Sequence, residues 1–173
     1  MVAMLMHLCG LYLGEKRDLM PASQENPDGF WENTKFVRLN DVILHELGGG
    51  WDYPPAVRGK WEPVFSRLRG SAEQVLQEFA DHSPWGWKDP RNSLTLPFWT
   101  RLLPQSRVVI CLRNPLEVAL SLRRRNYFSY SMGLALWRNY NERILESSDP
   151  ALRIVTHYDA YLTNPRAEMR RVL

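Results

Sequence analysis

Apolar side chains recur at every third or fourth position in the stretch that follows Asn33. They are Phe36, Leu39, Ile43 and Leu47. This spacing places them on one face of an α-helix. Asn33 or Thr34 can cap the first turn, and the glycines at 48–50 end the helix. The same criteria predict helices over 1–8, 71–80, 95–103 and 130–146, and another that begins near Pro165.

Other apolar runs predict strands. Arg107–Leu112 contains a continuous β-branched run, which is typical of a strand buried on both faces, and Leu152–Thr156 is similar. The aromatic stretch 85–87 is predicted to end a strand and lead into a loop. Strands that alternate with helices indicate an α/β fold with a parallel sheet, in which ligands bind at the carboxyl ends of the strands. Lys88 and Arg113 both follow such predicted ends.

Two polar stretches that contain prolines, 16–29 and 52–63, are predicted to be loops. No internal repeat or low-complexity segment is present. The chain has 173 residues, which is enough for one domain with a core of its own, and we expect a single domain over 1–173.

The composition restricts the class of ligand. The net charge of +3 suits an anionic ligand but is too small for a dedicated nucleic-acid binder, so no nucleic-acid partner is expected. Cys9 and Cys111 lie in apolar runs, which predicts buried free thiols, and no spacing of Cys and His suggests a metal. The seven tryptophans favour core packing, although tryptophan also lines ligand grooves.

The apolar N-terminal run Met1–Leu13 has neither a basic leading region nor a small-residue cleavage site, so it is a poor signal peptide. It is also shorter than the roughly 20 apolar residues that a membrane span needs. These features predict a cytoplasmic protein without a membrane span. The oligomeric state is left open.

The strongest candidate site lies where the strand 107–112 meets the next helix. Asn114 can cap that helix, with Pro115 at its first position. Free backbone N–H groups and the helix dipole favour phosphate at such an end, and the planar guanidinium of Arg113 suits phosphate oxygens. Ser121 lies about two turns further along roughly the same face. The alternative is that Arg113 pairs with a nearby acid and Ser121 has no special role.

A second candidate is the cationic corner that begins at Lys88 and continues through Asp89 and Pro90 to Arg91. Lys88 could neutralise charge on a group during its transfer, and Asp89 could fix the loop. The alternative is a structural ion pair between Asp89 and either Lys88 or Arg91.

Glu32 follows two aromatic residues and precedes a predicted helix. An apolar neighbourhood can raise the pKa of a carboxylate enough for a general base, whereas the alternative is a simple interaction with the helix dipole. Tyr158, after the last predicted strand, could pack on an adenine ring or reach a phosphate. The basic run 123–125 is more typical of a solvated helix face but could attract an anionic substrate.

Together these segments resemble the PAPS-dependent sulfotransferases. Arg113-Asn114-Pro115 followed by Ser121 resembles the family's 3′-phosphate motif, and Lys88-Asp89-Pro90 resembles its Lys-Asp-Pro element. Tyr158-Asp159 with Leu162 and Asn164-Pro165 resembles the segment before the last helices. The stretches 30–33 and 39–41 are similar to uncharacterised bacterial members.

The resemblance implies transfer of a sulfuryl group from PAPS to a hydroxyl or amine on a small-molecule, glycan or peptide acceptor, with PAP as product and no metal. In that scheme Lys88 stabilises the oxygens around sulfur and Glu32 is the general base, with Asp41 and His45 as rivals. The nucleotide is held by Arg113, Ser121, Tyr158 and Arg91.

The resemblance further implies a three-layer, P-loop-NTPase-like parallel sheet flanked by helices. The family's loop for the 5′-phosphosulfate is not found here, and 1–14 resembles the helix that directly follows that loop. We therefore expect the first strand and the loop to be missing, the domain to be truncated at both ends, and activity to be in question. One alternative is a non-catalytic remnant that binds nucleotides or anions. A kinase would need a glycine-rich loop with Lys-Ser/Thr, which is also missing.

Overall fold

A computed structural model of the chain describes residues 1–23, 26, 29–56 and 60–173. The described part contains eight α-helices, one short 3₁₀-helix at Lys16–Asp18, and two strands. The helices are α1 (Val2–Leu8), α2 (Thr34–Glu46), α3 (Trp61–Gln77), α4 (Asn92–Trp99), α5 (Pro115–Asn126), α6 (Tyr130–Ser147), α7 (Tyr158–Thr163) and α8 (Pro165–Val172); the strands are β1 (Val108–Leu112) and β2 (Arg153–His157).

Helix α2 forms as its sequence predicts. The side chain of Asn33 accepts a hydrogen bond from the backbone N–H of Lys35 and thereby caps the helix. The apolar face of α2 packs against α3 and α4 in the larger core cluster. Its buried members include Phe36, Leu39, Ile43, Val64, Phe65, Phe79, Phe98 and Trp99. The aromatic rings of Phe36 and Trp87 stack with their centroids 4.3 Å apart.

The two strands pair in parallel, with Val108 opposite Arg153 and Leu112 opposite His157. The predicted α/β class and the parallel pairing are thus confirmed within a small sheet flanked by helices. The prediction that β1 is buried on both faces is wrong, because only Ile110 is buried. The two predicted buried thiols, Cys9 and Cys111, are free but exposed. Apolar neighbours in sequence do not bury a side chain unless another element covers it.

Helices α5 and α6 form the most extensive helix pair. Asn114 caps α5 by accepting from the backbone N–H of Leu116, and Pro115 occupies the first turn, as predicted. Ser129 caps α6 through the backbone N–H of Met132. Gly133 of α6 lies so close to Ala119 of α5 that an added Cβ would come within 2.8 Å of the Ala119 Cα. This contact sets the spacing of the pair that flanks the candidate phosphate site.

Several predicted boundaries are wrong. Helix α3 begins at Trp61 and not at residue 71, because Pro63 lies in its first turn, where proline is tolerated. The predicted loop 52–63 therefore ends before Trp61. Outside the described part lie residues 57–59 of this loop and residues 24, 25, 27 and 28 of the predicted loop 16–29. Helix α7 was not predicted.

The aromatic stretch around Trp85 forms only a short parallel contact, not a full strand. The backbone N–H of Tyr12 donates to Pro84 O, and the N–H of Gly86 donates to Tyr12 O, each at 3.0 Å. Lys88 therefore lies in the irregular segment after this short contact, and not at the end of a full strand as predicted. Among the described residues, no helix is both long and apolar enough to span a bilayer.

Candidate active site

The structure brings Glu32 and Lys88 together although they are far apart in sequence. The ammonium nitrogen of Lys88 donates to Glu32 Oε1 at 2.5 Å and lies 3.4 Å from the carbonyl oxygen of Phe30. The side chain of Glu32 is buried, whereas that of Lys88 is partly exposed. A buried carboxylate thus lies beside the ammonium group of a partly exposed lysine side chain.

The backbone around Glu32 is held in an unusual conformation. Trp31 has a φ of +58°, which is rare for a bulky side chain and costs on the order of 1–3 kcal/mol. The backbone N–H of Met20 donates to Glu32 O at 2.8 Å. On the other side, the amide of Asn33 donates to Leu13 O. These contacts hold the backbone on both sides of Glu32, and its carboxylate contacts the Lys88 ammonium, which is a different interaction from the helix-dipole alternative.

The loop after Lys88 is fixed by a chain of charges. The buried Asp89 carboxylate accepts from the backbone N–H of Arg91 at 2.9 Å and from its guanidinium at 3.0 Å. Arg91 Nε also lies 2.6 Å from Asp41 Oδ1. Burial lowers the pKa of the Arg91 guanidinium, but Asp89 and Asp41 outweigh this effect and raise it. The structural alternative for this corner, an Arg91–Asp89 ion pair, is therefore present.

A second polar group reaches Asp89 from helix α2. The buried amide of Asn40 donates to Asp89 Oδ2 at 2.8 Å and to Asn92 Oδ1 at 3.0 Å. Its carbonyl oxygen accepts from Thr95 and from Trp99, both at 2.8 Å. Sequence analysis did not assign a role to Asn40, since its partners lie some fifty positions further along the chain.

The candidate phosphate site forms a cleft at the end of β1. Its volume is about 370 Å³, and it is lined by Arg113, Glu117, Leu120, Ser121, Arg124 and Arg125. Arg113 precedes α5, and the other residues are related by three- and four-residue intervals along α5, so they share a face. The structure therefore places Arg113 and Ser121 in the same cleft.

The guanidinium of Arg113 has several neighbours in this cleft. Its Nε donates to Glu117 Oε2 at 3.0 Å, which is the acid pairing that the alternative interpretation describes. Its central carbon lies 4.5 Å from the centre of the Tyr158 ring, so Arg113 and Tyr158 also come together. The indole N–H of Trp137 donates to Arg113 O at 2.9 Å and anchors the strand end. The four-residue spacing could have indicated Glu117, whereas Trp137 had no local signal.

Helix α6 connects the cleft to the Lys88 corner. Trp137 contacts Arg113, and Tyr140 lies one turn further along the same helix. The Tyr140 hydroxyl donates to Trp51 O at 2.6 Å, and α6 packs against α4, which begins at Asn92 just after the Lys88 corner. The two candidate groups therefore flank one helix.

The rival bases lie elsewhere. Asp41 is engaged by Arg91, and His45 is exposed on α2. His157 at the end of β2 is also exposed. Among the described residues, no group of His, Cys, Asp and Glu is arranged to hold a metal ion.

A comparison with models of protein families identifies the family of this chain. A model described as "Sulfotransferase family" matches residues 37–173. The chain belongs to the sulfotransferase family. The resemblance drawn from the motifs is thereby confirmed at the level of the family. Lys88, Arg113, Ser121 and Tyr158 lie inside the matched range, whereas Glu32 precedes it. Searches of curated proteins and of solved structures give no significant match.

Proposed function

We propose that this member of the sulfotransferase family transfers the sulfuryl group of PAPS to a hydroxyl or amine of an acceptor. The observation that carries the proposal is the cleft in which Arg113 and Ser121 lie together, with Tyr158 against the Arg113 guanidinium. The residues present fit a phosphate, since guanidinium and hydroxyl groups are strong donors to its oxygens. The family favours a P-loop-like α/β fold and a small-molecule, glycan or peptide acceptor.

In this proposal the cleft holds the 3′-phosphate of the nucleotide. Arg113 and Ser121 donate hydrogen bonds to the phosphate oxygens, and Tyr158 packs against the guanidinium and the nucleotide. Glu117, which lies 3.0 Å from Arg113 Nε, competes with the phosphate for the positive charge of the guanidinium. Arg91 is a further predicted nucleotide contact, and its guanidinium lies between Asp89 and Asp41.

The Lys88–Glu32 pair performs the chemistry in this proposal. PAPS, when bound, supplies the sulfuryl group that is transferred. Glu32 accepts the proton that the acceptor hydroxyl or amine loses, and the Lys88 ammonium stabilises the negative charge that develops on the oxygens around sulfur. The 2.5 Å contact between Lys88 Nζ and Glu32 Oε1 supports these roles, because the proton acceptor and the cation must both lie near the group that is transferred. Positioning and charge stabilisation contribute most of the rate in reactions of this kind.

Binding of PAP, measured by calorimetry on the whole chain, tests the proposal. Arg113→Ala is expected to weaken PAP binding by about 1.5–3 kcal/mol, the value of a hydrogen bond to a charged group. Arg138→Ala is the matched control, because Arg138 forms the same four-residue ion pair with Glu142 on an exposed face of α6. AMP, which lacks the 3′-phosphate, serves as the control ligand. In a separate turnover assay with PAPS, Glu32→Gln is expected to slow the release of PAP about 100-fold or more.

Several results would overturn the proposal. If PAP does not bind the whole chain, if AMP binds as tightly as PAP, or if Arg138→Ala weakens binding as much as Arg113→Ala, the cleft is not a 3′-phosphate site. Unchanged turnover in Glu32→Gln would remove Glu32 as the base. PAP binding with no release of PAP from PAPS would instead support the non-catalytic binding protein.

A further inference from the structure

Asn40 uses its whole hydrogen-bonding capacity around one loop. An asparagine amide can donate two hydrogen bonds and accept two. Asn40 donates to Asp89 and Asn92, and it accepts from Thr95 and Trp99, all within 3.0 Å. Its side chain is completely buried. A buried amide with four partners is constrained to a single orientation, because each alternative orientation leaves a polar group unpaired.

The partners of Asn40 hold the residues on both sides of Lys88. Asp89, on one side, accepts from Asn40. Trp87, on the other side, donates from its indole nitrogen to Asn92 Oδ1 at 3.0 Å, and the same oxygen accepts from Asn40. The backbone of Lys88 therefore runs between two anchors that meet at Asn40.

Asp41 adds a second restraint from the next position of α2. Its carboxylate lies 2.6 Å from Arg91 Nε, and Arg91 in turn binds the Asp89 oxygen that Asn40 does not contact. The buried Asp89 carboxylate is thus held by Asn40 at Oδ2 and by Arg91 at Oδ1. Asn40 therefore holds one Asp89 oxygen directly, whereas Asp41 acts on the other oxygen only through its ion pair with Arg91.

We propose that Asn40 and Asp41 are positioning residues that set where the Lys88 ammonium lies relative to Glu32. Their effect on catalysis rests on the proposed sulfotransferase function, whereas their effect on the geometry of Lys88 does not. A side chain misplaced by about 1 Å can cost about 100-fold in rate, so a rigid anchor for this loop has a direct chemical consequence. This role also accounts for the two polar residues, Asn40 and Asp41, that directly follow the buried Leu39 in α2.

The decisive variant is Asn40→Asp. It preserves the size of the side chain and the oxygen that accepts from Thr95 and Trp99, but it places a carboxylate against the buried carboxylate of Asp89. Repulsion between them should displace the loop. In protein that carries nitrogen-15 in its lysine side chains, the chemical shift of the Lys88 ammonium nitrogen should change. This signal is assigned by its loss in Lys88→Arg. Release of PAP from PAPS should slow about 100-fold. PAP affinity should change much less than turnover, because Arg113, Ser121 and Tyr158 lie on other elements and only Arg91 of the proposed nucleotide contacts lies in the displaced loop.

A swap and a control separate positioning from general destabilisation. The double variant Asn40→Asp with Asp89→Asn restores a donor opposite a carboxylate, so it should recover part of the Lys88 signal position and of the turnover. Ser148→Ala removes another buried hydrogen bond, from Ser148 to Ile144 O at the end of α6, and should leave the Lys88 signal unchanged. If Asn40→Asp does not fold, Asp41→Asn provides the test, since the Asp41 side chain is half-exposed.

The outcomes are distinct. A shifted Lys88 signal with slowed turnover, retained PAP affinity and recovery in the swap supports the proposal. An unchanged Lys88 signal in folded Asn40→Asp, or in Asp41→Asn where the first variant does not fold, overturns it. An equal shift in Ser148→Ala overturns it as well. If the wild-type chain neither binds PAP nor releases it from PAPS, the sulfotransferase function fails, while the NMR signal still decides the positioning role.

Discussion

At the scale of single residues, the contacts of Arg113 decide what its guanidinium can bind. One face of the guanidinium lies against the Tyr158 ring, and its Nε donates to Glu117. The backbone carbonyl of Arg113 accepts from the Trp137 indole. The guanidinium is therefore oriented before any anion arrives, but one carboxylate already occupies part of it. The same principle applies to Lys88, whose ammonium is oriented by Glu32 and by the carbonyl of Phe30.

The competition between Glu117 and a phosphate leads to a prediction. Glu117→Gln removes a negative charge from the cleft and frees Arg113, so PAP binding should become severalfold tighter. The gain in binding free energy should equal the roughly 0.2–1 kcal/mol that an exposed ion pair contributes. Calorimetry at low and high salt should show a smaller gain at high salt, because exposed charges are screened.

Glu142→Gln provides the control for this prediction. It breaks the equivalent exposed pair with Arg138 on α6, outside the cleft, and should not change PAP affinity. An equal gain in both variants would mean that only the net charge of the protein matters.

At the scale of elements, the contact between α5 and α6 holds the strand–helix junction in place. Gly133 makes this contact possible, because its missing side chain lets α6 approach Ala119 of α5. The opposite face of α5 carries Ser121 and most of the other groups of the phosphate cleft. The contact with α6 therefore holds in place the helix on which these cleft groups lie.

Gly133→Ala should force α5 and α6 apart and lower the free energy of unfolding by about 1–3 kcal/mol, the usual cost of overpacking. Gly70→Ala is the matched control in the middle of α3, where an added Cβ meets nothing within 4 Å. It should raise stability by about 0.5–1 kcal/mol, because alanine loses less conformational freedom than glycine in a helix. Urea unfolding of both variants checks the prediction, and loss of stability in both would contradict it.

At the scale of the whole molecule, α6 ties the C-terminal part of the chain to the loop after α2. The Tyr140 hydroxyl donates to Trp51 O, and the Arg143 guanidinium donates to Pro55 O. Burial raises the pKa of the Tyr140 phenol. The tie is consequently a neutral hydrogen bond at physiological pH.

This tie predicts a dependence of stability on pH. An unfolded phenol loses its proton near pH 10, whereas the folded Tyr140 keeps it, so stability should fall as the pH rises above about 10. Tyr140→Phe should be less stable at neutral pH by about 0.5–1.5 kcal/mol for the lost hydrogen bond. Its stability should fall less at alkaline pH, so the plots of unfolding free energy against pH for Tyr140→Phe and the wild type should converge. Urea unfolding between neutral and alkaline pH measures this.

Tyr53→Phe controls for tyrosine content. The Tyr53 ring is exposed, so this variant should follow the wild-type curve. Parallel curves for the wild type and Tyr140→Phe would show that the Tyr140 phenol does not carry the dependence.

Local signals in the sequence determined the features that depend on neighbouring residues. The cap of α2 at Asn33, the start of α5 at Pro115 and the positions of the two strands β1 and β2 are as predicted, to within about a residue for the strands. Helix caps, apolar periodicity and β-branched runs act over a few residues, so one sequence suffices to find them. The sulfotransferase motifs were recognised for the same reason, since each is a short segment at a strand or helix end.

Only the tertiary structure decided which distant residues meet and which surfaces are covered. Glu32 and Lys88 are 56 positions apart, and Asn40 and Asp89 are 49 apart, so no local pattern pairs them. The exposure of Cys111, which lies in an apolar strand, depends on what the other elements cover. Burial and long-range hydrogen bonds are properties of the packed chain, and they gave Asn40 its partners and Lys88 its place beside Glu32.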